Sequence, residues 1–395
     1  MTLPLEGMVV LDFGHTVMGP SCGLILADMG AEVIRVEPAG GDPTRSLKGF
    51  GTGYFGFFNR NKQSIAIDLK SAEGRAVAHA LVAKADILIE NFAPGAMARL
   101  GMDYDTTSRI NPRLVYASLK GFLKGPYDQR LALDEVVQMM SGLAYMTGPS
   151  GRPLRAGTSV IDITGGMFAV IGILAALRQR DVTGLGTLVE SALFEAAVFL
   201  MGQHLCYSAQ TEGPIPPMPE RVSAWAVYDL FAVKDQRQVF IGITSDAHWQ
   251  RFCEASGRPD LASDPGLATN NQRIEARERL MPILRDLFAQ LTLDEAISLA
   301  ETARIPFSPI ARPEDLFDDP HLNATGGLLD TRLPGGVETR LPRLPIRIGG
   351  EGFELHSNPP AAGADSAAVL RSVGYDDDRI AALAARGVIA LGESK

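Results

Sequence analysis

Met8-Val-Val-Leu-Asp-Phe13 runs into Gly14-His-Thr-Val-Met-Gly19-Pro20, and some ten residues later comes Glu32-Val-Ile-Arg-Val36. An apolar, Val-rich run of that length closed by Gly and Pro has the size of a buried strand rather than a helix. From Ser21 to Met29 the apolar spacing becomes helical, Gly30 supplies a stop, and Glu32 to Val36 is a second strand. Strand, helix and strand in that order form a βαβ unit. A second unit follows, with Ser64 to Leu69 as strand, Ser71 to Lys84 as helix and Asp86 to Glu90 as strand; Leu114 to Ser118 adds another strand. The alternation predicts an α/β fold with a Rossmann-like parallel sheet covered by helices.

Further along, Gly165 to Arg178 predicts a long apolar helix and Leu188 to Leu200 a second apolar stretch, both expected deep in the core. Gly213 to Pro219 places four prolines in seven positions, which stiffens the backbone and removes amide donors, as in a linker. Beyond it, strands at 226–233 and 238–243 and helices at 248–256, 271–289 and 292–303 predict a smaller α/β domain. Pro and Gly recur from Pro306 to Gly350. The expected division is a large domain over 1–212, a linker over 213–221, a small domain over 222–312, a second linker over 313–350, and a return to the large domain over 351–395.

The 395 residues, 46% hydrophobic and 21% charged, exceed what one core usually serves. Cys22, Cys206 and Cys253 cannot form an even disulfide framework or a CxxC pair, which favours a reducing compartment. The apolar run Gly165 to Leu177 falls short of the ~20 residues that cross a bilayer, and no basic leader precedes the first strand. A cytoplasmic protein with no membrane span is the expectation. With 46 acidic against 37 basic residues, a broad nucleic-acid surface is disfavoured. The turn at 14–20 sits where an open α/β sheet presents ligands, yet GxGxxG and GxxxxGK[ST] are absent, so a dinucleotide site or P-loop is unsupported and a tight turn requiring Gly is the favoured reading. Six histidines without HxxxH or HxxE spacing argue against a metal centre, and no GxSxG elbow marks a serine hydrolase.

Asp162, in Gly157-Thr-Ser-Val-Ile-Asp162-Ile-Thr-Gly-Gly166, lies among apolar neighbours near the start of the long helix. Two readings stand. One is an N-cap that accepts first-turn amides, contributing about 0.5–2 kcal/mol. The other is a half-buried nucleophile held ionised by the helix N-terminus, with Gly165 and Gly166 letting substrate approach the backbone.

The segments Leu5 to Phe13, Gly30 to Pro38, Asn59 to Lys62, Ala85 to Gly95, Asn111 to Phe122 and Gly172 to Arg178 resemble the family III CoA transferases, the formyl-CoA transferase and carnitine CoA-transferase group. The likeness is strongest from residue 5 to about 200. It implies an interlocked, ring-like homodimer of two-domain chains. It also implies a reaction that moves CoA between carboxylic acids without a metal or tightly bound cofactor, coenzyme A being a substrate. Asp162 matches the family's nucleophilic aspartate, and backbone amides near Gly165 become candidate oxyanion donors.

By motif position, the resemblance implies CoA contacts from Val17, Met18, Pro38, Ile67, Leu69, Lys70, Asn91, Phe92, Ala93 and Lys120. Arg99 would be a phosphate partner or else a solvated helix arginine. Pro38 stands where formyl-CoA transferases tend to have an arginine, and Val17 where they tend to have a glutamine. These departures put those two contacts, and formate or oxalate as substrate, in doubt. Ser118-Leu-Lys-Gly121 and Leu133-Asp-Glu-Val-Val-Gln-Met-Met140 resemble the dicarboxylate-using relatives, which implies small dicarboxylates with succinyl-CoA as donor. Lys120, Arg155 and Arg221 are candidates for the distal carboxylate. Glu135 matches an acidic position near the nucleophile and would orient a substrate or form an ion pair. The α-methylacyl-CoA racemases share the fold but carry a Gly-His-Asp triplet where this chain has Ala132-Leu133-Asp134; losing that histidine removes one of two bases and disfavours racemisation.

Overall fold

A computed structural model of the chain describes residues 3–221 and 223–392. Val222, the expected first residue of the small domain, lies outside the described residues. The first strand, β1 (Val9–Asp12), is joined through the helix Met18–Asp28 to β2 (Glu32–Glu37), and the next strands are β3 (Lys62–Ile67), β4 (Ile87–Glu90), β5 (Val115–Lys120) and β6 (Leu188–Ala192). They lie in the order β3-β2-β1-β4-β5-β6, all parallel. This is the doubly wound order whose strand sequence reverses between β1 and β4, so the carboxyl ends of those two strands flank a natural ligand crevice.

Two apolar clusters cover the two sheet faces, which is why the strands read as continuous hydrophobic runs rather than alternating ones. Leu11, Ile34 and Ile65 pack on one side with the helix Ala72–Val82. Val10, Val33 and Ile89 pack on the other with Met18, Cys22, Ala169 and Ile173.

The long helix spans Val160–Thr183, 24 residues, starting five residues before the sequence-based expectation. It is long and apolar enough to cross a membrane by length and composition, but Ile161, Ala169 and Ile173 are sealed into the sheet core. Gly165 and Gly166 let it cross the helix Met18–Asp28: a Cβ on Gly165 would lie 2.6 Å from Met18 Cε, and one on Gly166 2.2 Å from Ser21 Oγ. The stretch 188–200 is not one buried apolar element. It divides into the edge strand β6 and the helix Leu193–Leu200, which leaves Phe199 71% exposed.

The chain divides into two compact units, Met1–Glu220 with Asn323–Lys395, and Arg221–Leu322. The second has its own sheet, β7 (Val227–Ala232), β8 (Gln238–Ile243) and β9 (Phe307–Pro309), antiparallel in that order. Trp249, Phe252 and Phe288 centre its core. The expected helix over 271–289 is two helices, Asn270–Glu275 and Arg277–Ala289, the first closed at its start by a capping box between Thr269 and Gln272.

In the first unit, the Pro/Gly-rich return carries two hairpins, β10 (Leu328–Arg332) with β11 (Glu338–Pro342) and β12 (Arg347–Ile348) with β13 (Glu351–Gly352). The final strand, β14 (Ile389–Ala390), pairs antiparallel with β3 and closes that sheet edge.

Candidate active site

Where the strand order reverses, the turn after β1 comes against the residues after β4. Gly14 and Gly19 touch backbone to backbone: a Cβ on Gly19 would lie 2.5 Å from Gly14 Cα, so neither position accepts a larger residue without moving the turn. Between them Thr16 takes φ 61°, a left-handed conformation costly for a side chain with a branched Cβ. Asn91 fixes the turn, its Oδ1 accepting from His15 N at 2.7 Å and its Nδ2 donating to His15 O at 3.0 Å. Beneath, the fully buried Asp12 accepts from Gly14 N at 2.8 Å and from Lys62 Nζ at 2.8 Å. Burial would raise the Asp12 pKa, but Lys62 and Arg35 together with these hydrogen bonds hold it below the ordinary range.

These elements surround a cleft of about 250 Å³, lined by His15, Thr16, Val17, Met18, Asn91, Phe92, Ala93, Lys120, Asp128, Arg130, Leu133, Asp134 and Asp162 among others. Burial lowers the pKa of the His15 imidazole, which packs 5.3 Å from the Phe92 ring.

Asp162 occupies the first turn of the long helix, half-buried, and faces the cleft. It is not the cap. Asp134, buried at the start of the helix Asp134–Met140, accepts from Ile161 N at 2.8 Å and Asp162 N at 3.0 Å. Ile163 N already bonds to Ser159 O. The carboxylate of Asp162 therefore accepts no hydrogen bond among the described residues, and the helix end does not hold it ionised. Its pKa is pushed up to about 7, first by burial and then by the Asp134 charge. Gly165 and Gly166 also part from expectation: their amides belong to the helix ladder, and their missing side chains admit a neighbouring helix, not a ligand.

The remaining predicted residues scatter. Val17, Met18, Asn91, Phe92, Ala93 and Lys120 line the cleft with Asp162. Ile67 is buried and Leu69 half-buried against one core, while Pro38, Lys70 and Arg99 are exposed outside the cleft lining. Glu135 is exposed and paired with Arg155, and neither lines the cleft. Arg221 opens the second unit. Lys120 is neutralised, its Nζ donating to Glu90 Oε2 at 2.6 Å and to Phe92 O at 2.8 Å.

Among the cleft residues that escaped the sequence reading are His15, Thr16, Asp128, Arg130 and Asp134. Helical phase was the available signal for Asp134, because Asp134, Val137 and Gln138 share one buried face while Glu135 lies about 100° round the helix from Asp134.

Fold and cleft define an open-sheet α/β enzyme with its ligand crevice at the strand reversal. The family model for CoA-transferase family III matches residues 5–366. The chain is 36% identical over 366 residues to the acetyl-CoA:oxalate CoA-transferase of Acetobacter aceti, covering 91% of this chain and 92% of that protein. It is 32% identical over 410 residues to the succinyl-CoA:glutarate CoA-transferase of Mus musculus, covering 99% and 92%. The crystal structure of a CAIB/BAIF family protein from Brucella suis superposes with a TM-score of 0.82 at 32% identity, over 94% of this chain and 100% of the other. The chain belongs to CoA-transferase family III and is a CoA-transferase whose substrates are CoA thioesters.

Proposed function

We propose that this enzyme moves CoA from an acyl-CoA, with succinyl-CoA as a leading donor, to a small dicarboxylic acid through a covalent intermediate on Asp162. The observation that carries the reading is a carboxylate facing the cleft with no hydrogen-bond partner among the described residues and a pKa raised to about 7. Poorly solvated carboxylates are stronger nucleophiles than solvated ones. Names of the similar proteins, which act on oxalate and on glutarate, support a dicarboxylate acceptor.

Asp162 attacks the thioester carbonyl, the C–S bond breaks, and a mixed anhydride forms as CoA leaves as thiolate. The thiolate attacks the aspartyl carbonyl, releasing the donor acid and leaving an aspartyl-CoA thioester. The acceptor carboxylate displaces CoA to form a second anhydride, and the thiolate then takes the acceptor acyl group, restoring Asp162. Each step develops an oxyanion. The start of the helix Met18–Asp28, with no side-chain cap and with Val17 and Met18 at the cleft, supports the role of oxyanion donor better than Gly165. Cytoplasmic location and a homodimer complete the reading. Exposed Met167 and Ile171 on the long helix, and exposed Phe199, whose ring lies 5.2 Å from that of Phe168 on the same long helix, support a second copy covering that surface.

The direct test is peptide mass spectrometry of enzyme quenched during turnover with succinyl-CoA. The peptide containing Asp162 should carry an acyl or CoA adduct that hydroxylamine converts to a hydroxamate; steady exchange with no adduct would sink the covalent route. The cleft also holds one imidazole, His15, so racemisation has a specific check: with acyl-CoA in deuterium oxide and no acceptor, no α-deuterium should appear.

The raised pKa sets a pH dependence with a definite sign. Below about pH 7 the Asp162 carboxyl is protonated in the free enzyme, so kcat/KM should fall about tenfold per pH unit there and level off above. Asp134→Asn removes the neighbouring negative charge, so the acid limb should move to lower pH. An unmoved limb would show that another group controls it.

A further inference from the structure

Resting on the proposed function, the geometry points to Arg130 as the residue that recognises the distal carboxylate of a dicarboxylic substrate. A cleft lined by Asp128, Asp134 and Asp162 repels a dianion unless a cation compensates. Two side-chain cations line it. Lys120 is already neutralised by Glu90. Arg130 meets no carboxylate among the described residues, and the other sequence-based candidates, Arg155 and Arg221, are outside the cleft lining.

Arg130 is also held. Its guanidinium lies 4.9 Å from the centre of the Tyr127 ring, and its backbone N donates to Tyr127 O at 2.8 Å. Tyr127 in turn packs edge-on against Phe122 at 5.6 Å and Phe194 at 6.4 Å. This aromatic post restrains the side chain through the ring face, while the N–H edge of the guanidinium stays available to a carboxylate, which it can bind through two parallel bonds. Asp162 would meet the reacting carboxyl and Arg130 the other one, which separates dicarboxylates from monocarboxylates of the same length.

Matched substrates test this: succinyl-CoA against butyryl-CoA as donor, and glutarate against pentanoate as acceptor, with the full-length enzyme and with Arg130→Met and Arg130→Lys. The expected result for Arg130→Met is a rise of roughly tenfold or more in KM for succinyl-CoA and glutarate, the scale of a charge-assisted contact, with butyryl-CoA and pentanoate unchanged and partial recovery in Arg130→Lys. An equal loss for both donors with no change in acceptor preference would put Arg130 on the CoA phosphates and overturn the assignment. No change for any substrate would make it a solvated arginine and equally overturn it. Saturation-transfer NMR of glutarate and pentanoate binding provides a readout independent of turnover: loss of glutarate preference in Arg130→Met supports the assignment even if no adduct forms on Asp162, and retention of it overturns the assignment even if one does.

Discussion

Asp162→Asn is expected to lower CoA exchange by about 10⁴-fold while leaving acyl-CoA binding within a few-fold, because the amide matches the carboxylate in shape but cannot form the anhydride. The same substitution should stabilise the fold at alkaline pH. The Asp162 pKa is about 7 in the folded protein, above the ordinary carboxylate value, so the native state holds this proton more tightly than the unfolded chain does. Stability from this group is full below about pH 4 and is lost as pH rises through about 7. Asparagine removes that loss. Asp162→Asn should therefore melt higher than the parent at pH 8, with the gap closing toward pH 4. Thermal melts across that range, run beside a succinyl-CoA to glutarate exchange assay, check both halves. Exchange near the parental rate would end the assignment of Asp162 as nucleophile. A melting difference independent of pH would place the stability effect in packing instead of charge.

Lys62→Met should produce the largest stability loss at a position away from the cleft lining. Lys62 is fully buried, and its ammonium donates to Asp12 Oδ2 at 2.8 Å, Pro20 O at 3.0 Å and Asn59 Oδ1 at 3.1 Å. Burial lowers its pKa, against the pull of Asp12. Removing it leaves Asp12 ionised in the core with only Arg35 at 3.4 Å as counter-ion. Breaking a buried pair from one side costs about 3–5 kcal/mol, which corresponds to a melting temperature lower by roughly 10 °C. Asp12 also anchors Gly14, so the turn bearing His15, Val17 and Met18 loses its footing and KM for acyl-CoA should rise. The double variant Asp12→Asn/Lys62→Met, with no uncompensated charge, should recover part of the melting temperature. A single variant that melts within a degree or two of the parent would show that water or rearrangement satisfies Asp12.

The βαβ alternation, the strands from β1 to β5 and the position of Asp162 near the head of an apolar helix were legible from residue order, since each depends on periods of two to four residues and on local Gly and Pro punctuation. Val17, Met18, Asn91, Phe92, Ala93 and Lys120 were reached through motif resemblance, and the cleft gathers them. The function assigned to a residue was harder to read than its address. Gly165 and Gly166 stood out correctly as positions without side chains, yet the helix Met18–Asp28 fills the space beside them.

Sequence alone determined the doubly wound sheet, the family and the aspartate at its crevice, because hydrophobic spacing and contiguous motifs are properties of neighbouring residues. Only the tertiary structure decided that Asp134 caps the long helix in place of Asp162, that Lys120 is spent on Glu90, and that Arg130 lines the cleft without a carboxylate partner among the described residues. Those outcomes depend on which charges meet across chain separations of about thirty residues, and on how far burial strips them of water, neither of which the linear order of residues encodes.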